Sequence, residues 1–343
     1  MQWQRFFMVI CLLLGGGLLL GACSAEDVTS MPKKAEKEVA PGSPDDIATI
    51  EEPSKLDYPE KLPGGDKVAT TPLPEAMRIE KPEVGPITTT KPKVRKFEID
   101  RAEKDGFHRV KVFYGTNRNR TGETEANKVY GKTRGEMSYG ICEIAIPLTH
   151  KTGELEAPKW WKMEFSEDPT KHVVLQKVNT LSWRGVAAQL NDTISKASGK
   201  NAFVFVHGYN VAFKDAARRT AQIHHDLKFD GAPIFFSWPS RGEITLTSYT
   251  HDETNAKWSY SYLKKFLIQI ATDTQADNIY LVAHSMGTRV LSNAVAGVMS
   301  ERPDLKKRFK EIILAAPDID AEVFINDLAP KLVEASQNTT LYA

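Results

Sequence analysis

Residues 279–291 read Ile-Tyr-Leu-Val-Ala-His-Ser-Met-Gly-Thr-Arg-Val-Leu. Positions 279–282 are an apolar run of strand length, and a helical pattern begins at Gly287. A strand, a sharp turn carrying one serine and a helix make the plan of a nucleophile elbow, written here A-x-S-x-G instead of the commoner G-x-S-x-G. Such a turn strains the backbone of its serine so that Oγ, here that of Ser285, stands above the sheet. The residues two before and two after are pressed against neighbouring backbone, so small ones are needed, and Ala283 and Gly287 meet that need. The N–H of Met286, at the mouth of the following helix, is a candidate oxyanion donor. The bland alternative is an ordinary strand-to-helix turn around a buried serine.

A second segment bears on the first. Residues 202–210 read Ala-Phe-Val-Phe-Val-His-Gly-Tyr-Asn, a continuous apolar run of the kind buried on both faces of a sheet, ending in His207-Gly208. The turn after this strand is expected to give the other oxyanion donor, the N–H of Tyr209, with Gly208 allowing close approach. His207 is read as a residue that orients the loop, and His284 as a packing residue pointing away from Ser285.

Working outward, 233–239 and 311–317 read as two more buried strands, and 211–228, 253–273, 287–300 and 321–334 as helices. Alternating short apolar strands and helices predict an α/β fold, a mostly parallel central sheet with helices on both faces. Upstream, 110–117, 140–147 and 172–178 predict strands that form an antiparallel start to that sheet. A helix is expected over 183–197, with Ser182 as its N-cap.

Phe113-Tyr-Gly-Thr-Asn-Arg, Val206-His-Gly-Tyr-Asn, Phe236-Ser-Trp-Pro-Ser, Ala283-His-Ser-Met-Gly and Ala315-Ala-Pro-Asp-Ile-Asp occur in this order. Together they resemble a bacterial α/β-hydrolase family catalogued only as a domain of unknown function, over roughly residues 108–343. The resemblance implies the α/β-hydrolase fold and a serine triad, and no known substrate.

The triad of this fold runs nucleophile, acid, histidine. All eight histidines of the chain precede Ser285. Asp318, after the strand that follows the elbow strand, is the candidate acid, with a turn carboxylate as the competing reading. Asp320 is expected to cap the next helix. His251 lies in a polar segment, and its spacing does not recommend it as a base. Residues 339–343 read as a further strand cut in its middle, which predicts a C-terminally truncated domain whose histidine lies beyond residue 343, and near inactivity for the chain as it stands.

The N-terminus supplies a location. An apolar, glycine-rich run from Phe6 to Ala22 follows Arg5 and fits a secretory signal better than a membrane span. It ends Leu20-Gly-Ala-Cys23, which resembles a bacterial lipobox and marks Cys23 as the lipid anchor; Ser24 after it fits outer-membrane sorting. Residues 23–97, rich in Pro, Lys, Glu, Asp and Thr, read as a disordered tether, and 98–343 as the hydrolase domain.

Composition closes other routes. The chain has 45 Lys+Arg against 44 Asp+Glu and 3 cysteines, which gives neither a nucleic-acid footprint nor a disulfide framework. No metal-ligand spacing and no Gly-rich phosphate loop occurs, and no cofactor is expected. The expected function is a membrane-tethered serine hydrolase of a small acyl ester or lipid-like substrate. The rivals are a non-catalytic envelope lipoprotein that binds through a hydrolase-like scaffold, and the same fold cleaving peptide, thioester or amide bonds. Oligomeric state is not legible.

Overall fold

The computed structural model describes residues 104–158, 164, 166–242 and 246–342. The expected signal run 1–22, the expected lipid anchor Cys23 and the expected tether 23–97 lie outside these residues. None of the described helices is long and apolar enough to cross a membrane.

Eight strands form one sheet: β1 (Phe107–Arg120), β2 (Tyr130–Pro147), β3 (Val174–Leu181), β4 (Asn201–Val206), β5 (Gly231–Ser237), β6 (Asn278–His284), β7 (Phe309–Ala315) and β8 (Ser336–Tyr342). Their order is β3-β2-β1-β5-β4-β6-β7-β8. β2 runs antiparallel to β1 and β3, whereas β1, β5, β4, β6, β7 and β8 pair in parallel. The expected antiparallel start is therefore present.

Strand alternation explains why the central runs are continuously apolar. Along β4, Ala202, Val204 and Val206 face one core and Phe203 and Phe205 face the other. β6 does the same with Ile279, Leu281 and Ala283 on one side and Tyr280 and Val282 on the other. The first face is covered by α1 (Trp183–Lys196), α3 (Leu246–Asp273), α4 (Gly287–Glu301) and α5 (Ala329–Ala335), the second by α2 (Phe213–Asp226). Each large side chain so enclosed contributes about 1.5–3 kcal/mol.

Local signals act as read. The Ser182 side chain accepts from Gly185 N–H and caps α1. Asp320 accepts from the N–H groups of Glu322 and Val323, capping the turn Ala321–Val323. The helix expected over 321–334 is present as one uninterrupted helical run, Ala321 to Ala335, that widens into a π-helical stretch, Phe324–Leu328, before α5. The π stretch ends just before Pro330, which has no N–H for the carbonyl one turn back.

β1 and β2 exceed their expected lengths. Their far ends, 118–120 and 130–139, carry polar and half-exposed residues across register shifts. Such a ribbon has no apolar period to read.

The loop after β2 is fastened to the end of α2 by a buried imidazole. His150 holds both Glu156 oxygens through Nδ1 (2.9 and 2.8 Å) and Asp226 Oδ1 through Nε2 (2.8 Å). Burial alone would lower its pKa, but the two carboxylates outweigh it and raise it to about 9.

Candidate active site

The site lies at the carboxyl ends of β4, β5, β6 and β7, where open α/β sheets place their ligands. Ser285 has a φ of +50°, a conformation L-residues avoid. Its N–H donates to Ala315 O at the end of β7 (3.0 Å), and its carbonyl accepts from Thr288 N–H (2.9 Å) and Thr288 Oγ1 (2.6 Å). These bonds at both peptide groups hold the strained turn. Ser285 is half-buried, and its Oγ makes no hydrogen bond among the described residues.

The small neighbours are required by backbone contact. A Cβ on Gly287 would sit 2.4 Å from His207 O and 2.6 Å from Val206 O. A Cβ on Gly208 would sit 2.9 Å from both His284 O and Ser285 Cβ. The 207–210 loop therefore touches the elbow. Tyr209 follows Gly208 in that loop, and Met286 leads into Gly287 and α4, so both residues border Ser285. Ala283 is fully buried, and its methyl is accommodated between Val206 and Leu314 in the sheet.

His207 serves the loop. Its Nδ1 faces Gly208 O (2.9 Å), an acceptor, so Nδ1 carries the proton and Nε2 accepts from Ser237 Oγ (3.1 Å). The ring stacks on Trp238, whose Nε1 donates to His207 O (2.8 Å). Burial, and then the charge of Arg118, depress its pKa to about 3. A histidine locked this way cannot take a proton from Ser285 at neutral pH. His284 is half-buried, with a pKa lowered by burial and by Arg219. His251 lies on α3 against Asn255. No imidazole among the described residues is hydrogen-bonded to Ser285 Oγ.

Asp318 follows β7 close to the elbow, and its N–H donates to Thr288 Oγ1 (3.3 Å), the hydroxyl that holds the Ser285 carbonyl. Its carboxylate, however, is engaged elsewhere. Oδ1 accepts from Arg289 Nη2 (2.9 Å) and Oδ2 from Tyr249 Oη (2.9 Å), while Arg289 Nε donates to the Asp318 carbonyl. Arg289 also reaches Glu253 (3.2 Å), and Tyr249 meets Tyr209 edge-on at 5.4 Å. Burial, then the Asp318 carboxylate, raise the Tyr249 pKa. Asp318 is thus a strut between α3 and α4 in this structure. We expect Asp318→Asn to change the reactivity of Ser285 less than about tenfold, whereas loss of a triad acid costs about 10⁴-fold; labelling kinetics with an active-site phosphonate measure the difference.

Arg289, Tyr249 and Thr288 were not singled out from the sequence. Trp258 and Tyr262 of α3 lie against each other at 4.5 Å, and Arg134 of the β1–β2 ribbon covers Trp258. They brace that ribbon. The described residues hold no cluster of His, Cys, Asp or Glu able to ligate a metal.

Elbow, loop and sheet order together decide the comparison. Residues 184–343 match the family described as alpha/beta hydrolase of unknown function (DUF900). The fold is accordingly that of an α/β-hydrolase. The matched segment includes the 207–210 loop, Ser285 and Asp318, and starts after the β1–β3 region. No curated protein matches the chain.

Proposed function

We propose that the protein is a membrane-tethered serine hydrolase acting on a small acyl ester or a lipid-like ester. The observation that carries this reading is Ser285, half-buried and held at positive φ against the 207–210 loop, its hydroxyl unbonded among the described residues. In this reading Oγ attacks the ester carbonyl carbon. The resulting oxyanion is held by the N–H groups of Tyr209 and Met286 and by the positive end of α4. An imidazole must accept the serine proton. Cys23, acylated, holds the protein at the cell envelope, the outer membrane being the expected one, and 23–97 spaces the domain from the bilayer.

A second reading is favoured by one observation: no imidazole reaches Ser285 Oγ among the described residues. The protein is then a binding scaffold that retains the fold without the chemistry. A fluorophosphonate probe on the natural full-length protein separates the two. We expect covalent labelling that is lost in Ser285→Ala, since removal of the nucleophile leaves no acceptor. A folded wild type that takes no label would leave only the scaffold.

A further inference from the structure

The stretch Phe113–Arg118 is prominent in the sequence, lies outside the family match and has no part in the chemistry above. Its last residue carries an unusual burden. Arg118 is 1% exposed, and none of the described carboxylates lies within ion-pair distance of it. A guanidinium without such a partner is costly to bury unless its donors are met. All five are. Nε donates to Ser237 Oγ (2.8 Å), Nη1 to Gly131 O (3.1 Å) and Ser240 O (2.9 Å), and Nη2 to Val211 O (2.7 Å) and His207 Nε2 (3.5 Å). Burial lowers its pKa to about 9, against the pull of Asp252 and Asp215.

The acceptors show what this arrangement is for. Three are main-chain carbonyls, one in the β2 ribbon, one in the loop after β4 and one in the loop after β5. The loop after β5 is gripped from its other side by Asp252, fully buried, which accepts from Ser240 Oγ (2.5 Å) and Arg241 N–H (2.9 Å). Thr116, two residues earlier, donates to Ser237 O (2.6 Å). The end of β1 thus fixes the two loops against each other, and one of them is the loop that touches Ser285. Lysine cannot replace this fork, having three donors around one point.

We propose that Arg118 is the positioning residue of the oxyanion loop: its guanidinium sets His207–Val211 so that the Gly208–Tyr209 backbone meets Ser285. This rests on Ser285 being a nucleophile. The test uses Arg118→Lys and Arg118→Gln in the natural full-length protein, with Ser237→Ala as a milder variant that removes the Nε acceptor and the His207 partner. Fluorophosphonate inactivation is measured across probe concentration, separating the maximal rate from the apparent affinity, and the His207 ring is followed by ¹⁵N NMR. Folded Arg118 variants are expected to lose at least about 10²-fold in maximal rate, the scale of a misplaced oxyanion donor. Their apparent affinity should stay within threefold, and the single Nδ1–H tautomer of His207 should be lost. A folded Arg118 variant with wild-type rate and an unchanged His207 signature overturns the proposal. If both Arg118 variants fail to fold, Ser237→Ala decides: a fall of fivefold or more in maximal rate supports it, and no change overturns it. An unlabelled wild type defeats the hydrolase reading instead. The His207 signal then still tests the clamp, which falls if Arg118→Gln leaves that tautomer intact.

Discussion

Gly287→Ala is expected to abolish fluorophosphonate labelling of Ser285 and to lower stability together. The added methyl carbon would lie 2.4 Å from one backbone carbonyl oxygen and 2.6 Å from the next, at His207 and Val206. Neither can rotate aside as a side-chain tip would. Val206 ends β4, paired with β6 through Ala283, so its carbonyl is held in the sheet. His207 O accepts from the buried Trp238 ring. The elbow must therefore back away from the loop. Overpacking of a tight core costs about 1–3 kcal/mol or more. A displacement on the order of 1 Å between a nucleophile and its oxyanion donors costs about 10²-fold in rate. Ala283→Gly is the control. It adds no atom, costs about 1 kcal/mol as glycine in a strand, and should label like the wild type. Chemical denaturation and labelling kinetics on both variants check the pair; equal behaviour of the two would refute the contact argument.

Acid is expected to unfold the protein between about pH 6 and 4, well before the carboxylates are neutralised. Three imidazoles are held neutral in the fold. Burial and Arg118 depress His207 to about 3; burial and His225 depress His224 to about 4; burial, His108 and His150 depress His225 to about 4. In the unfolded chain each titrates near 6.5. The unfolded state thus binds more protons throughout the interval, so the stability these groups contribute is present above pH 6.5 and drains away below it. Each pKa unit is worth about 1.4 kcal/mol, against a total of about 5–15 kcal/mol for a typical domain. His150 works in the opposite direction. Its folded pKa near 9 means that its contribution is complete below the unfolded value and is lost as pH rises through about 9. Urea midpoints measured from pH 4 to 10 should form a plateau near neutrality that falls on both sides. His225→Gln should shallow the acid limb, and His150→Gln the alkaline one. A flat profile from pH 4 to 7 would exclude neutral burial of these rings.

Much of the domain was legible because its signals are local. Residues 202–206, 232–236, 279–283 and 312–315 are strand segments sealed on both faces, and such segments are apolar. The caps at Ser182 and Asp320 depend on one side chain and the N–H groups two or three residues on. The polar half of the β1–β2 ribbon was not legible, since half-exposed residues carry no period. Nor was the π segment before Pro330, where a helical pattern survives a missing hydrogen bond.

By itself the sequence determined the alternation of buried strands and helices, the strained turn at Ser285 and the need for small residues around it, since each follows from a few consecutive residues and the space their backbone leaves. Only the tertiary structure decided what the charged and polar groups do. Asp318 meets Arg289 and Tyr249, His207 turns its ring to its own loop, and Arg118 reaches His207 and Ser237, 89 and 119 residues later. Hydrogen bonds and charges act over a few ångströms in space, and chain spacing does not reveal which distant donors and acceptors the fold will bring within that reach.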